Sequence, residues 1–471
     1  MTDKQHHSRN RRALKRWDAL RRAFAEFLLL PSLIIAGFLL LSMVTFALDR
    51  GDVQWLVPLR ELMRSYVFAD AAASGQLLAT IAAGMITITS ITVSLLLIAL
   101  QQSAGSLTHQ VYDQFLRTWH NQAYFGVFVG LCLYSLITLA SVGPLIPVLG
   151  GTVALLGAVL ALCLLLLLFY TTVNQMRPVV IIEAIHNHAL MARKVHADLL
   201  RATRRTPTLE SLACTPVDAL AHGFVTRIDV DAIRAAAAGG TAEVEVVLRV
   251  TLGTYVVFGQ RLADVHARAP ADARRVADVL EVSIHREDKR DITCDPLDAV
   301  EELETIGWTS ISTAQSDPDA GVLTIYSLRD ILARWAAAPD ETPAPQPEAA
   351  GVSIVYVDDV MPKLLNAFES LAVAASESLQ HQSCAEILRS FEIVFDRLPP
   401  QWQQRAEDIV LRMLSGLGDH VLTAELESAL SGIVDTFESA GRGAAAGAVR
   451  EAKGQLARSI GKLGSRVTRM G

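Results

Sequence analysis

Thr80, Thr87, Ser94 and Gln101 fall seven residues apart in an otherwise apolar stretch. Seven residues is nearly two helical turns, so the four share one helix face, with Ala83, Gly84 and Ser90 beside them. Hydroxyls and an amide at this spacing suit two kinds of chemistry. They can bond their own helix's carbonyls in a close-packed seam, where small residues let a neighbour approach. Alternatively, they can line a path for water or ions, because polar groups at membrane depth must face protein or water. Elsewhere, Glu183-x-x-His186 sets two metal-ligand types on one helix face, followed by His188 and His196. That spacing serves in di-metal bundles only when a second copy completes it. No second copy occurs, so a solvated or packing role is the expectation and no metal is assigned. Asp295-Pro296 reads as a helix start, with Asp295 as the cap and Pro296 in the first helical position. Ser312 and Asp317 are the candidate site residues of this part of the chain, although Ser316-Asp317-Pro318-Asp319 is explained as simply by turn chemistry.

The common catalytic signatures are missing. There is no Gly-Lys-Ser/Thr phosphate loop, no dinucleotide fingerprint, no His-Glu-x-x-His and no Gly-x-Ser-x-Gly. No catalytic residue or cofactor is therefore assigned, and an enzyme acting at a membrane leaflet ranks third among the expected functions.

The elements that position these residues are dominated by the bilayer. A helix needs about 20 apolar residues to cross its core. Four such runs occur, at about 27–48, 77–100, 124–142 and 148–173, within a transmembrane domain over 27–173. Gly143-Pro144-Leu145-Ile146-Pro147 makes the last two a hairpin. Gly126-x-x-x-Gly130 in the third run is a small-residue packing pattern. The basic segment 1–26 carries seven Arg or Lys between residues 9 and 22, and Arg177, Arg193, Lys194, Arg201, Arg204 and Arg205 follow the fourth run. Both flanks are then cytoplasmic by the positive-inside rule, as an even number of spans requires. The expected location is a bacterial inner membrane, multi-pass, with N- and C-termini in the cytoplasm and lipid as an obligate partner.

The rest of the 471-residue chain has ordinary soluble composition. The net charge of −7 gives no sign of nucleic acid binding. The five scattered cysteines suggest no disulfide framework. We expect a cytoplasmic α+β domain over 174–336, a Pro/Glu/Ala linker over 337–350, and a helical C-terminal region over 351–471 ending in a basic tail. Within the α+β domain, residues 214–267 turn β-branched and glycine-punctuated. Gly253 to Leu262 resembles the small barrel-sandwich folds of biotinyl and lipoyl carriers. Those carriers use a lysine, and none lies between Lys194 and Lys289, so a rigid β module without a swinging arm is implied.

Several of these segments together carry a family resemblance. Thr80-Ile-Ala-Ala-Gly-Met-Ile-Thr87 with Gln101-Gln102-Ser103, Phe125 to Gly130 with Tyr134-Ser135-Leu136, Gly223 to Asp229, Gly253 to Leu262, Asp295-Pro296, and Ser312 with Asp317-Pro318 occur in order. The chain thereby resembles the bacterial predicted membrane proteins called domain of unknown function 2254, over about residues 20–336. It departs from that pattern at Thr108-His109-Gln110 and at Ser316. The resemblance implies the membrane topology and supplies no mechanism. The leading functional expectation is an oligomeric, channel-like or transport-related protein with a cytoplasmic gating domain. The alternative is a membrane-anchored scaffold or sensor with a cytoplasmic protein partner.

Overall fold

The computed structural model describes residues 28–51, 61, 70–106, 119–143, 146–175, 177–238, 243–291, 293–312, 318–337 and 352–459. The chain forms two compact units, Met1–Arg177 and Pro178–Gly471.

The first unit contains α1 (Leu29–Arg50), α2 (Ala71–Ser106), α3 (Trp119–Ala140) and α4 (Val148–Gln175). All four are long and apolar enough to cross a membrane. α2 extends past both ends of the apolar run that defines it. α3 is the central helix and packs against the other three. Phe128, Leu131 and Tyr134 of α3 fill the middle of the unit, against Leu78 and Met85 of α2 and Ala154 and Ala161 of α4. Small residues allow this closeness. A Cβ on Gly126 would lie 3.0 Å from Pro31 Cα of α1, and one on Gly130 would meet the Phe38 ring. A Cβ on Gly157 of α4 would press on Leu131.

The second unit opens with α5 (Pro178–Arg201). Then come β1 (Cys214–Asp218), β2 (Gly223–Ile228), α6 (Val230–Ala238), β3 (Val244–Leu248), β4 (Tyr255–Val256), β5 (Arg261–Ala267), α7 (Pro270–Ser283) and β6 (Ile284–Glu287). α8 (Pro296–Ser312), α9 (Pro318–Ala337) and β7 (Val352–Val355) follow. The chain continues as α10 (Val360–Glu377), α11 (His381–Val394), α12 (Pro400–Gly416), α13 (Ala424–Ser439) and α14 (Gly443–Ser459).

The strands do not form the expected barrel-sandwich over 214–267. They make two open sheets, β1-β5-β3-β7 and β4-β2-β6. A barrel needs every strand edge paired, and β4 has only two residues with which to continue one. β3 is buried along its whole length. It takes β5 as an antiparallel neighbour and β7 as a parallel one, with Val244 opposite Val352. The strand that completes this sheet thus comes from beyond residues 337–350. Ala337 of the proposed linker closes α9 and residues 338–350 lie outside the described residues, but the two flanks join one core: α8 packs on α10, and α9 on α11.

Two local features decide stability. Glu245 of β3 is fully buried. Its carboxylate accepts the Thr208 amide (2.9 and 3.0 Å), the Thr208 hydroxyl (2.8 Å) and the Leu209 amide (2.8 Å), which pins the segment after α5 to the sheet. At the end of α10, Gln380 N donates to Ala375 O and Leu379 N to Ser376 O. That is a Schellman cap, in which the left-handed position usually belongs to glycine. Here Leu379 occupies it with φ +55°.

The described part of the basic tail lies along α13. Ala446 and Val449 are buried, Arg450 pairs with Glu438, and Lys453 reaches Glu427 at 3.3 Å.

Glu245→Ala leaves three donors without their acceptor and is expected to cost about 3 kcal/mol. It should lower the thermal midpoint of the purified chain in detergent by several degrees. Leu379→Gly relieves the left-handed strain and is expected to stabilise by about 1 kcal/mol. The same melting measurement should show a small rise.

Candidate functional site

The second unit holds a continuous buried polar network, and its hub is the loop after β3. Thr251, Leu252 and Gly253 each touch a different element. Thr251 Oγ1 donates to Asp359 Oδ2 (3.3 Å) at the start of α10. Leu252 N donates to the Tyr356 hydroxyl (3.3 Å) just after β7. Gly253 lies against the Asp295 carboxylate, the N-cap of α8. It has φ +77°, and a Cβ there would overlap that carboxylate. Glycine is required twice over, by the backbone conformation and by the space.

On one side of the loop, Arg290 gathers three acids. Its Nε is 3.0 Å from Asp295 Oδ2, and its Nη1 is 3.5 Å from Asp298 Oδ1 and 2.6 Å from Glu301 Oε2. Its guanidinium sits over the Phe224 ring of β2 at 5.8 Å, and Phe224 meets Tyr255 edge-on at 4.9 Å. Asp295 Oδ1 accepts the Leu297 amide at 3.0 Å, the capping bond expected of an Asp-Pro helix start. Its Oδ2 has no aligned hydrogen bond, despite the nearby Nε. Asp295 is only 3% exposed. Burial lifts its pKa to about 6, against the opposing pull of Arg290, with Asp298 adding to the rise.

On the other side stands a second cluster on α5. Arg193 Nη1 donates to His196 Nδ1 (3.1 Å), so the proton of this imidazole is on Nε2, which donates to the Tyr356 hydroxyl (3.1 Å). Arg193 also donates to Asp358 Oδ2 at 2.7 Å and lies over the Trp335 ring at 5.6 Å. Burial lowers the His196 pKa to about 4, so the ring is neutral at pH 7. Burial would raise Asp358, but its bond to Arg193 keeps it below the usual carboxylate value.

These groups are bonded to one another rather than left open to solvent singly. They can hold α5, β7 and the starts of α8 and α10 in fixed register. Displacing α5 would strain the Tyr356–Leu252 contact, and through it the Gly253–Asp295 contact.

The residues singled out from sequence fall in several places. Thr80, Thr87, Ser90 and Ser94 of α2 are exposed, and Gly84 is half-buried. Thr80 donates to Gln76 O (2.8 Å) and Thr87 to Ala83 O (3.1 Å). Ser90 and Ser94 border a shallow groove of about 460 Å3 shared with Val129 and Cys132 of α3. Gln101 is in α2, but its side chain lies outside the described residues. Ser312 is exposed at the end of α8, and Asp317 lies outside the described residues. Ser312 is thus not brought to the Asp295 network. His186 bonds Asp330 Oδ2 at 2.8 Å rather than Glu183. Arg290 and Tyr356 were missed. Arg290 sits in a run of charges that reads as a solvated turn, and nothing in the sequence couples Tyr356 to His196.

The hub unites segments far apart in the chain. Gly223-Phe224, Gly253 and Asp295-Pro296 are three of the segments on which the family resemblance rests, and here they touch. The model of the family described as predicted membrane protein (DUF2254) matches residues 25–382. The chain belongs to this family. The match runs past 336, through β7 and α10, as expected if these complete the core that holds the network. No curated protein and no solved structure matches the chain.

Asp295 and His196 give this DUF2254 chain opposite responses to pH. Folded Asp295 keeps its proton to about pH 6, against an ordinary value of 3.8. Its contribution to stability therefore falls as pH rises through that interval. Folded His196 gains its proton only near pH 4, against an ordinary 6.5, so its contribution falls as pH drops. Asp295→Asn retains the Oδ1 acceptor and removes the first response. Melting curves at pH 4.5 and pH 7 should show the variant gaining on the wild type at the higher pH, by at most about 3 kcal/mol. An unchanged gap would refute the assignment.

Proposed function

We propose that the protein is an oligomeric, channel-like or transport-related component of a bacterial inner membrane, with both termini cytoplasmic and the second unit acting as its gating or coupling part. The observation that carries this reading is the outward direction of the α2 face. Thr80, Thr87, Ser90 and Ser94 are exposed in a helix made to cross a bilayer. Lipid tails offer such a row nothing, whereas a second copy or water does. Around Gly84, the position where a Cβ would stand has no atom within 4 Å, which leaves room for another helix. The interior of the four-helix unit is filled by Phe128, Leu131 and Tyr134. A hydrated path is therefore sought between copies rather than within one. The α5–Tyr356–Leu252–Asp295 network supports a coupling role for the second unit, since α5 follows α4 directly in the chain. The basic residues flanking the spans support the orientation.

A second reading, a membrane-anchored scaffold or sensor for a cytoplasmic protein, has its own support. The hydroxyls of Thr80 and Thr87 are already bonded to carbonyls of their own helix. The same face can then serve as a dry seam between copies.

The experiment is salt flux in liposomes with wild type and the double variant Thr87→Leu/Ser94→Leu, alongside disulfide cross-linking of Ser90→Cys. Under the first reading, cross-linked oligomers form and flux falls at least about tenfold in the leucine variant. Cross-linking without flux in the wild type would leave only the scaffold.

A further inference from the structure

A second feature of the membrane unit is independent of the α2 face. A cleft of about 690 Å3 opens where α1 and α3 end and α4 begins, lined by Thr45, Phe46, Arg50, Ile137, Ser141 and Gly150 among others. Its acid is already engaged. Asp49 accepts the amides of Leu149 and Gly150 through its two oxygens, both at 2.9 Å, at the positive end of α4. Its deep wall is likewise hydrogen-bonded: the Tyr134 hydroxyl donates to Gly150 O at 3.1 Å and lies 3.1 Å from Thr45 Oγ1. Arg50 is different. It is exposed and has no ion pair among the described residues.

Two further observations define what fits. The rim of the cleft toward the bilayer is apolar, with Met43 71% exposed and Phe46 and Ile137 also open. A chain of carbon atoms can enter sideways from the lipid. The level is also set. α1 has 22 residues, which at about 1.5 Å each span about 33 Å. That slightly exceeds the roughly 30 Å hydrocarbon core, so its last residue, Arg50, stands among the headgroups. An exposed cation at headgroup depth, without an ion pair among the described residues and above an apolar groove open to the membrane, complements an amphiphile with an anionic head and a hydrocarbon tail. We propose that this cleft binds an anionic phospholipid, with its phosphate on the Arg50 guanidinium and one acyl chain along Phe46 and Ile137. Guanidinium is suited to this because its fork matches two phosphate oxygens at once.

The test uses the full chain in mild detergent, offered phosphatidylglycerol or phosphatidylcholine, with bound lipid counted by native mass spectrometry. Wild type should retain one phosphatidylglycerol with about tenfold preference over phosphatidylcholine, the scale of one charge-assisted contact. Arg50→Gln should bind the two lipids equally. Ile137→Trp should fill the groove and reduce retention of both while leaving the thermal midpoint near that of the wild type. Glycerol phosphate in excess should not displace the lipid, because the acyl chain holds it. Equal retention by the wild type, or a preference that survives in Arg50→Gln, would overturn the proposal. Displacement by glycerol phosphate would replace it with a plain anion site. None of these outcomes depends on whether the α2 face carries flux.

Discussion

Three consecutive residues after β3 carry the architecture of the second unit. Thr251, Leu252 and Gly253 are bonded or pressed to Asp359, Tyr356 and Asp295, which stand at the start of α10, the end of β7 and the start of α8. A buried polar network of this kind is useful only when nearly complete, because each unpaired member costs more than a pair contributes. The network here meets that demand almost throughout, with Asp295 Oδ2 and Arg290 Nε as the pair that touch without aligning. This leaves an acid above its usual pKa and an imidazole below its own within one small region. Their opposing pH responses partly offset each other between about pH 4 and 6.

The membrane unit follows a different rule. Its side chains have no hydrophobic drive to leave lipid, so packing and hydrogen bonds to backbone hold the helices together. Gly126, Gly130 and Gly157 give close approach, and Asp49 joins the end of α1 to the start of α4. Tyr134 and Thr45 complete a polar corner on the same side. The polar face of α2 takes no part in any of this, which is why it stands apart as the surface available to another molecule.

The degree to which sequence foretold these features depends on how local each one is. The four spans were legible because an apolar run of bilayer length is a signal contained within itself. The Asp295 cap was legible for the same reason, since a cap and its proline are neighbours. The direction of the α2 stripe was not. A period tells which residues share a face but not whether that face looks inward or outward. The barrel-sandwich expectation failed because β3 takes its parallel partner from β7, and no pattern within 214–267 announces a strand from elsewhere. Arg290 escaped because its value lies in Asp298, Glu301 and Phe224, which only the fold brings to it.

The pairing of β3 with β7 has a consequence in time. Synthesis runs from the N-terminus, so all four apolar helices leave the ribosome before any strand of the sheet exists. β3 then emerges with β5 soon after it, but its other edge must wait until α7 to α9 and β7 have been made. Until then a wholly buried strand has one open edge, the kind that recruits wrong partners. Nascent chains truncated shortly before Val352 would be tethered at the membrane with that edge still unsealed, and they are the species on which quality control in the host would act.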